Sequence, residues 1–495
     1  MRVVMRSQTR FGQVAIGDIQ FDARSRDDIP AALKGLQHIY VTEAVRKKVF
    51  ALLEHESAFT TKARKNTGRP GMELWQIFVL AIIKLATNCD FDRLQELANN
   101  HLQLRQMLGH SGWEDCERYA LQTIIDNVSC ISVKVLGEIS QVVVEAGHAL
   151  LNVKPTDPLE SRCDSFVVET HVHYPTDINV LWDAMRCLIQ LMNRVSLKHG
   201  ISGWRQSRHN LKQLKRHFRK VQNSRHSRSK DESKKEETQA RFHGYVRDYL
   251  ADAAQYVEKS KQALETLTNN GDDVAVAQIN HLLKHAARQM DQIERRELRG
   301  EVIPHSEKVF SIYQEHTEWI SKGKAGVPFE LGVRVCILED QHQFILQHRV
   351  MWKETDDKVA VAMIEDAQRA FPTLKQCSFD KGFHSKKNQE DLSKLLELTV
   401  LPKKGRLNQV DKAREDSEEF RAARRQHSAV ESCINNLEVR GLNLCRSHGK
   451  DGFERHVALS VVASNLHRVG LLLQRDAREA LKKEKRRDEK LKLAA

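Results

Sequence analysis

The sequence lacks the features that mark secreted and membrane proteins. Its nine cysteines include no Cys-x-x-Cys pair, which argues against a disulfide framework and against a thiolate zinc site. The N-terminal residues 1–7 contain no apolar stretch of the kind found in signal peptides. The longest apolar run, Ile77 to Ile83, is too short to span a bilayer, which takes about 20 residues. These absences predict a soluble protein of a reducing cytoplasm.

Positive charge, in contrast, is in excess. The 495 residues carry a formal net charge of +13, with 79 Lys and Arg against 66 Asp and Glu. Because lysine and arginine release counterions from a phosphate backbone, this balance favours nucleic acid as the partner. A basic protein with a solvated surface is the alternative. The length predicts two or three domains rather than one.

Hydrophobic periodicity divides the first three hundred residues into helical and extended regions. Residues 1–40 are predicted to form a polar arm with some strand character, and residues 41–151 show helical spacing. The cluster Gly68-Arg-Pro-Gly71 is predicted to separate two helices of that region. β-Branched and aromatic residues predict a strand over 160–175. A helical pattern then continues over 179–299.

The last third of the chain alternates between strands and helices. The predicted elements are strands over 329–338 and 343–350, a helix over 357–370, a strand ending at Asp380, a helix over 386–397, a short strand over 398–401, and helices over 415–439 and 453–474. Without the long helical block, the order is β-β-β-α-β-α-β-α. This is the order of a ribonuclease H-like α/β fold with one large helical insertion after its first strand.

We therefore expect four regions. Residues 1–150 form a helical N-terminal domain, residues 160–183 and 301–474 form the α/β core, and residues 184–300 form the insertion. Residues 475–495 form a charged tail that is a solvated helix or disordered. Apolar residues at 3-4-3 spacing in the insertion predict coiled-coil-like, antiparallel helices. Two such runs occur: Leu211, Leu214, Phe218 and Val221, and Ile279, Leu283, Ala286, Met290 and Ile293.

The insertion also contains a basic stretch. Between Arg205 and Lys230 there are many basic residues and no acidic one. This face is expected either to lie along a DNA backbone or to be solvated. The candidate DNA-binding residues in it are Lys212, Lys215, Arg216 and Arg219.

Three acidic residues occupy positions that predict a common site. Asp164 lies near the start of the first strand, Asp380 ends a later strand, and Glu431 lies on the helix over 415–439. Carboxylates on two strands and a helix, in a basic chain, suggest a metal-dependent phosphoryl-transfer site acting on nucleic acid. Each acid alone is weak support, since an acid at a strand edge is more often a solvated turn residue. On the helix, however, His427, Glu431 and Asn435 share one face at four-residue steps.

The expected chemistry uses divalent ions. Cleaving a phosphodiester requires an activated water and a stabilised leaving oxygen, and two ions roughly 3.5–4 Å apart supply both. Mg²⁺ and Mn²⁺ prefer carboxylate oxygens. We expect Asp164 to bridge two ions, and Asp380 and Glu431 to anchor one ion each.

At these residues the sequence resembles the DDE transposases of bacterial insertion sequences, with the ISNCY type as the nearest subgroup. Asp164-Ser165 is similar to the start of the family's first catalytic strand, and Phe379-Asp-Lys-Gly-Phe383 is similar to its Ala-Asp-Lys-Gly-Tyr motif. His427-Ser-Ala-Val-Glu431 is similar to the helix that carries the family's final Glu. Residues 68–72 and 174–177 also resemble stretches of the family. The resemblance covers most of the chain.

The resemblance implies an activity and its partners. It implies that Asp164, Asp380 and Glu431 are the catalytic and metal-binding residues, with two Mg²⁺ or Mn²⁺ ions as cofactor. The reaction would be cleavage at the terminal inverted repeats of an insertion sequence, followed by attack of the freed 3′-OH on target DNA. The N-terminal domain would bind the end sequences. A homodimer on double-stranded DNA, in the bacterial cytoplasm and associated with the nucleoid, is expected.

The sequence departs from the family where relatives contact DNA. Many relatives carry Arg four residues before the catalytic Glu and Lys seven residues after it, whereas this chain has His427 and Glu438. Arg424 and Arg440 are candidates to replace those contacts. The candidate DNA-binding residues near the acids are thus Lys381, Arg424, His427 and Arg440.

Two other hypotheses remain open. The chain could be a catalytically silent, sequence-specific DNA-binding protein derived from a transposase, because charge and helices fit that role equally well. It could also be a different metallonuclease on the same fold. The silent alternative predicts that the carboxylates of Asp164, Asp380 and Glu431 lie apart or are neutralised by salt bridges. The catalytic hypothesis predicts that they converge.

Overall fold

The computed structural model describes residues 3–5, 12–55, 71–111, 116–224, 231–321 and 328–494. The predicted breaker cluster at Gly68 to Gly71 lies outside these residues except for Gly71. The chain divides into two compact units. The first unit comprises Met1–His171 and Ile320–Ala495, and the second comprises Val172–Trp319.

The N-terminal part of the first unit is helical from Asp28 onward. Its helices are α1 Asp28–Val41, α2 Glu43–Glu54, α3 Leu74–Ala86, α4 Phe91–Asn100, α5 Leu102–Met107, α6 Leu121–Val128 and α7 Val133–Leu150. The prediction of a polar arm over 1–40 is therefore wrong for α1. The Asp27 carboxylate caps this helix by accepting from the N–H of Ile29 at 2.8 Å. Leu33 and Leu36 are fully buried.

The second unit is built from four long helices. They are α8 Asp177–His199, α9 Ser207–Ser224, α10 Glu232–Asn269 and α11 Asp273–Ile293. The apolar runs predicted in the insertion lie in one hydrophobic core, with Leu214, Val221 and Ile279 fully buried. This unit extends further at both ends than the predicted insertion over 184–300. The Asp231 carboxylate caps α10 by accepting from the N–H of Ser233.

The first unit contains a mixed sheet of seven strands. They are β1 Leu159–Thr170, β2 Glu318–Ser321, β3 Phe329–Asp340, β4 Ile345–Met351, β5 Leu374–Phe379, β6 Leu398–Val400 and β7 Leu444–Cys445. The main order is β2-β3-β1-β5-β6, with β4 paired to β3 and β7 paired to β1. Strand β1 is antiparallel to β3 and parallel to β5. The short strands β2 and β7 were not predicted.

Helices cover both faces of this sheet. The remaining helices are α12 Asp356–Ala370, α13 Lys386–Leu395, α14 Gln409–Asp416, α15 Glu418–His427, α16 Ala429–Leu437 and α17 Gly449–Ala494. Cys163, Cys377 and Phe379 pack on one face together with α12 and the N-terminal helices. Phe166 and Val168 pack on the other face, against α16 and α17. The N-terminal helices and the sheet thus share a hydrophobic core.

Helix α17 contains a long apolar segment. By length and composition, the part Gly449–Arg487 could cross a membrane, but 83% of its apolar window is buried within the protein. The pair α6 and α7 passes the same test only as one span with an 81° bend. Such burial is typical of a core helix, and these two segments are weak support for a membrane span.

Helices α1 and α17 cross at two glycines. A Cβ atom on Gly35 would lie 2.2 Å from the carbonyl oxygen of Leu466, and a Cβ on Gly470 would lie 1.8 Å from that of Ala31. Real Cβ atoms do not approach backbone oxygens so closely. The two helix backbones therefore pack at a distance that only glycine allows.

We predict that Gly470→Ala destabilises the protein by about 1–3 kcal/mol, because the added methyl group forces α1 and α17 apart. The matched control is Gly137→Ala in α7, where a Cβ would meet no atom within 4 Å. There the lower backbone entropy of the unfolded chain stabilises by roughly 0.5–1 kcal/mol. Urea unfolding measures both changes. Equal effects at the two positions would contradict the close crossing.

Candidate active site

Strand pairing places Asp164 beside Asp380. In the parallel pair of β1 and β5, Arg162 lies opposite Ser378 and Cys163 lies opposite Phe379. Asp164 and Asp380 are the next residues in this register, and neighbouring strands are about 4.8 Å apart. Residues opposite each other in a parallel pair point to the same face of the sheet. The two carboxylates therefore start from adjacent positions on one face.

Glu431 comes to the same face from a helix. Side-chain alternation puts Asp164 on the face of Phe166 and Val168, which is the face that packs against α16. Val430 and Ile434 of α16 enter that core, so the helix is fixed against the sheet. Glu431 lies next to Val430 on the exposed side of the helix. The structure thus brings the three predicted acids to one region.

The electrostatics of Asp164 reflect this convergence. Burial, together with the negative charges of Asp380, Glu431 and Asp356, raises the pKa of Asp164 to about 7, although the hydrogen bond from the Ser165 N–H acts in the opposite direction. That N–H donates to Asp164 Oδ1 at 2.7 Å. Like charges in proximity and partial burial both disfavour the ionised carboxyl. A bound cation would remove this penalty.

Within the described part of the chain, the three acids have no cationic partner in salt-bridge contact. Among the described residues, none within 4.0 Å forms a salt bridge with Asp164, Asp380 or Glu431, and no hydrogen bond reaches the side chains of the last two. Asp380 and Glu431 are exposed. The alternative in which salt bridges neutralise these acids is therefore not the arrangement found.

Asp356 is a fourth acid at this site, and it was missed from the sequence. It is the first residue of α12, and its Oδ1 accepts a hydrogen bond from Ser165 Oγ at 2.6 Å. A Cβ atom on Gly382 would lie 2.7 Å from Asp356 Oδ2, so the glycine of the Asp380-Lys-Gly-Phe motif makes room for this carboxylate. The only local signal was an acid immediately before the helix predicted over 357–370, which is common and not specific.

His427 lies between the strands and the helix. Its Nδ1 is 3.0 Å from Ser378 Oγ. Burial lowers the pKa of His427, and the charges of Asp380 and Glu431 oppose that change. The imidazole is therefore close to two of the acids. It is half-buried and bonded to β5, which suits a residue that positions the helix more than one that contacts DNA.

The other predicted DNA contacts near the site separate into two groups. Lys381 and Arg424 are exposed, so both are accessible to a ligand. Arg440 is only 4% exposed, and its Nη2 donates to Asp28 Oδ1 at 3.0 Å. This corrects the expectation for Arg440. Its guanidinium links α1 to the turn that follows α16, so it is not available to DNA.

The basic residues of the second unit form a groove. Lys212, Lys215, Arg216 and Arg219 of α9 line an open cavity of about 730 Å³, together with Lys220 and with Arg241 of α10. Arg241 pairs with Glu237 at 3.3 Å. Within the described part of the chain, the four predicted residues of α9 have no acid within 4.0 Å. The rest of the predicted basic stretch, 225–230, lies outside the described residues.

The donor set of the acidic site fits hard divalent cations. The three predicted acids offer carboxylate oxygens, from strand β1, the end of β5 and helix α16, and no described cation forms a salt bridge with them. Within the described residues, Asp164, Asp380 and Glu431 are not among the groups of three whose ligand atoms all lie within 4.8 Å. The structure therefore does not bring all three carboxylates within reach of a single ion.

Comparisons with known protein families, with curated proteins and with solved structures found no match. The assignment of function therefore depends on the geometry of the site and on the chemistry of its residues.

We predict that Asp164→Asn stabilises the metal-free protein at about pH 8 by roughly 1–2 kcal/mol, because it removes a negative charge from a half-buried acidic cluster. In the wild type, Mg²⁺ should also stabilise the protein, because it binds only the folded state. Urea unfolding in EDTA and in Mg²⁺ measures both effects. A variant less stable than the wild type in EDTA would contradict the electrostatic account.

Proposed function

We propose that the protein is a DDE transposase that cleaves DNA at insertion-sequence ends and transfers the freed strand into target DNA. The observation that carries the proposal is that Asp164, Asp380 and Glu431 lie toward one face of the sheet, where none of the described cationic residues forms a salt bridge with them. An acidic cluster that is partly buried and unpaired destabilises a fold, so it is expected where function requires it.

The residues would have distinct roles. Asp164 lies on the central strand, next to Asp380 in register and on the face of Glu431, so it is the acid suited to bridge two ions. Asp380 and Glu431 are exposed and would each hold one ion. Mg²⁺ or Mn²⁺ bound there would activate the attacking oxygen and stabilise the leaving oxygen. The Ser165 N–H and the β1 backbone fix the orientation of the Asp164 carboxylate.

The reaction has two steps in one site. Water attacks the phosphorus of the phosphodiester at the repeat boundary, the P–O3′ bond breaks, and a 3′-OH is released. That 3′-OH then attacks a phosphodiester of target DNA, and a 3′-OH of the target leaves. Lys381, next to Asp380 and exposed, is positioned to pair with a DNA phosphate near the acids.

The sheet topology supports a ribonuclease H-like core for this chemistry. Strand β4 pairs antiparallel with β3, and β3 pairs antiparallel with β1. On the other side of β1, strands β5 and β6 run parallel to it. The first acid lies on the central strand and the second follows the neighbouring parallel strand. We infer that the four-helix second unit is the insertion after the first strand.

Basic surfaces would supply DNA binding. The groove of α9 and α10 has the charge to follow a phosphate backbone, which gives affinity without sequence specificity. The proposal includes the terminal inverted repeats and target DNA as double-stranded partners, a homodimer that holds two ends, and a bacterial cytoplasmic location at the nucleoid.

The alternative is a catalytically silent, sequence-specific DNA-binding protein derived from a transposase. The basic groove fits that function as well. It gives no reason, however, for a half-buried Asp164 that is surrounded by three other acids. Selection for DNA binding alone would favour their loss.

We predict that Asp164→Asn, Asp380→Asn and Glu431→Gln each reduce Mg²⁺-dependent cleavage of a duplex carrying the terminal repeat by at least about 100-fold. The affinity for DNA should stay within about twofold, because the three side chains are carboxylates and make no ion pair with a phosphate. Cleavage of a labelled duplex and its binding in a gel-shift assay measure the two effects.

The matched control for cleavage is Glu390→Gln, which removes one exposed acid of α13 in the same unit. It should cleave at the wild-type rate. Cleavage near the wild-type rate in any of the three site variants would remove that residue from the site. Specific binding of the repeat by the wild type without cleavage in Mg²⁺ or Mn²⁺ would favour the silent alternative.

We predict that replacing Lys212, Lys215, Arg216 and Arg219 with Gln weakens DNA binding and flattens its dependence on salt. Each phosphate contact contributes about 0.9 to the slope of log K against log salt, so loss of two to four contacts should be measurable by titration at several salt concentrations. The control removes the same charge from the exposed end of α17, at Lys482, Lys483, Lys485 and Arg486. Equal slopes for the groove variant and the wild type would show that the groove residues are solvated and do not contact DNA.

A further inference from the structure

The second unit contains a cluster of metal-ligating side chains that the proposed reaction does not use. His281 and His285 lie one turn apart on α11, and Glu315 lies in the segment that follows this helix. Nε2 of His281 is 3.0 Å from Glu315 Oε1, and Nε2 of His285 is 3.2 Å from the same oxygen. The ligand atoms of the three residues all lie within 4.8 Å of one another.

The two histidines direct their Nε2 atoms to the same position. Histidines four residues apart lie on one face of a helix, and this spacing presents two imidazole nitrogens to a single ion. The ring centroids of His281 and His285 are 4.7 Å apart and the ring planes are inclined by 77°. The rings therefore do not stack, and both Nε2 atoms face the Glu315 carboxylate.

One side of the cluster is buried and the other is open to solvent. His285 is only 2% exposed, whereas the side chains of His281 and Glu315 are about half exposed. Within the described residues, the buried Nδ1 of His285 has no hydrogen-bond partner. The His285 ring therefore makes its polar contact through Nε2, which faces Glu315. The deep ligand is fixed by the core, and the open side leaves room for water.

We propose that His281, His285 and Glu315 bind one transition-metal ion per chain, with Zn²⁺ as the expected ion. Two imidazoles and one carboxylate form a donor set that prefers Zn²⁺ over Mg²⁺, and three protein ligands plus water complete a tetrahedral site. The ion class differs from that of the all-carboxylate site in the first unit.

The ion would have a structural role in the second unit. Residues 299–317 contain only one short helical turn, His305–Glu307, among their described secondary structure. Gln292 Nε2 donates to the Glu307 carbonyl at 2.8 Å, and Arg295 pairs with the Glu307 carboxylate at 2.8 Å. A metal bond to Glu315 would hold the other end of this segment against α11. Without an ion, the cluster is a partly exposed His–Glu–His ion pair, which contributes little to stability.

The test uses the full chain without a histidine tag. Equilibrium dialysis against Zn²⁺, with metal analysis by mass spectrometry, gives the stoichiometry, and a thermal melt in Zn²⁺ and in EDTA gives the effect on stability. We expect one ion per chain, and an unfolding temperature about 5 °C higher at free Zn²⁺ about 100-fold above the Kd. Co²⁺ in place of Zn²⁺ should give the visible absorption of a tetrahedral site.

The variants His281→Gln and Glu315→Gln change exposed side chains, so they should fold and should lose the bound ion, the Co²⁺ absorption and the thermal shift. The control His209→Gln alters an exposed histidine of α9 outside the cluster and should bind as the wild type does. Less than one ion per chain in the wild type would overturn the proposal. Binding and absorption that are unchanged in both cluster variants would also overturn it, since the ion would then be held by other residues.

Discussion

The position of the Asp164 carboxylate on the central strand is the constraint on which the rest of the site depends. Strand β1 is hydrogen-bonded to β3 on one side and to β5 on the other, so its backbone has little freedom to move. One face of β1 enters the core with the N-terminal helices and the other enters the core with α16. Because strand β1 is held between these two cores, the Asp164 side chain stays close to the neighbouring acids. Burial and the neighbouring acids raise its pKa to about 7, and the proposed function gives this cost a purpose, since a bound cation would remove it.

The elements around Asp164 explain why the neighbouring acids converge. The parallel pairing of β1 with β5 sets Asp380 beside it, and the apolar face of α16 sets Glu431 above the same surface. Gly382 lets Asp356 approach the turn after β5. Each placement follows from an ordinary requirement: strand register, helix amphipathicity or a close approach at glycine. Their combination in one place is a property of the fold and not of any one segment.

The sequence predicted those features of the structure that local patterns determine. The strand of Asp164 and the strand before Asp380 were predictable, and the structure has both. The single helix predicted over 415–439 is instead divided at Ser417 and Ser428, with Glu431 on α16. Helix α1 was missed although Ile29, Leu33, Leu36 and Ile39 recur at helical spacing after the capping residue Asp27. Asp356 and Arg440 could not be assigned from sequence, since their surroundings come from residues far away in the chain. The metal-ligating pair on α11 has a recognisable spacing, but Glu315 joins it only through the path of the chain after the helix.

The two units carry different kinds of chemistry. The cluster of acids lies in the first unit, and the basic groove and the His281–His285–Glu315 cluster lie in the second. The proposed metal site of the first unit is tested most directly by anomalous diffraction from crystals grown with Mn²⁺. We predict two anomalous peaks, one contacting Asp164 and Asp380 and the other contacting Asp164 and Glu431. Mn²⁺ bound elsewhere, with no peak at Asp164, would contradict it.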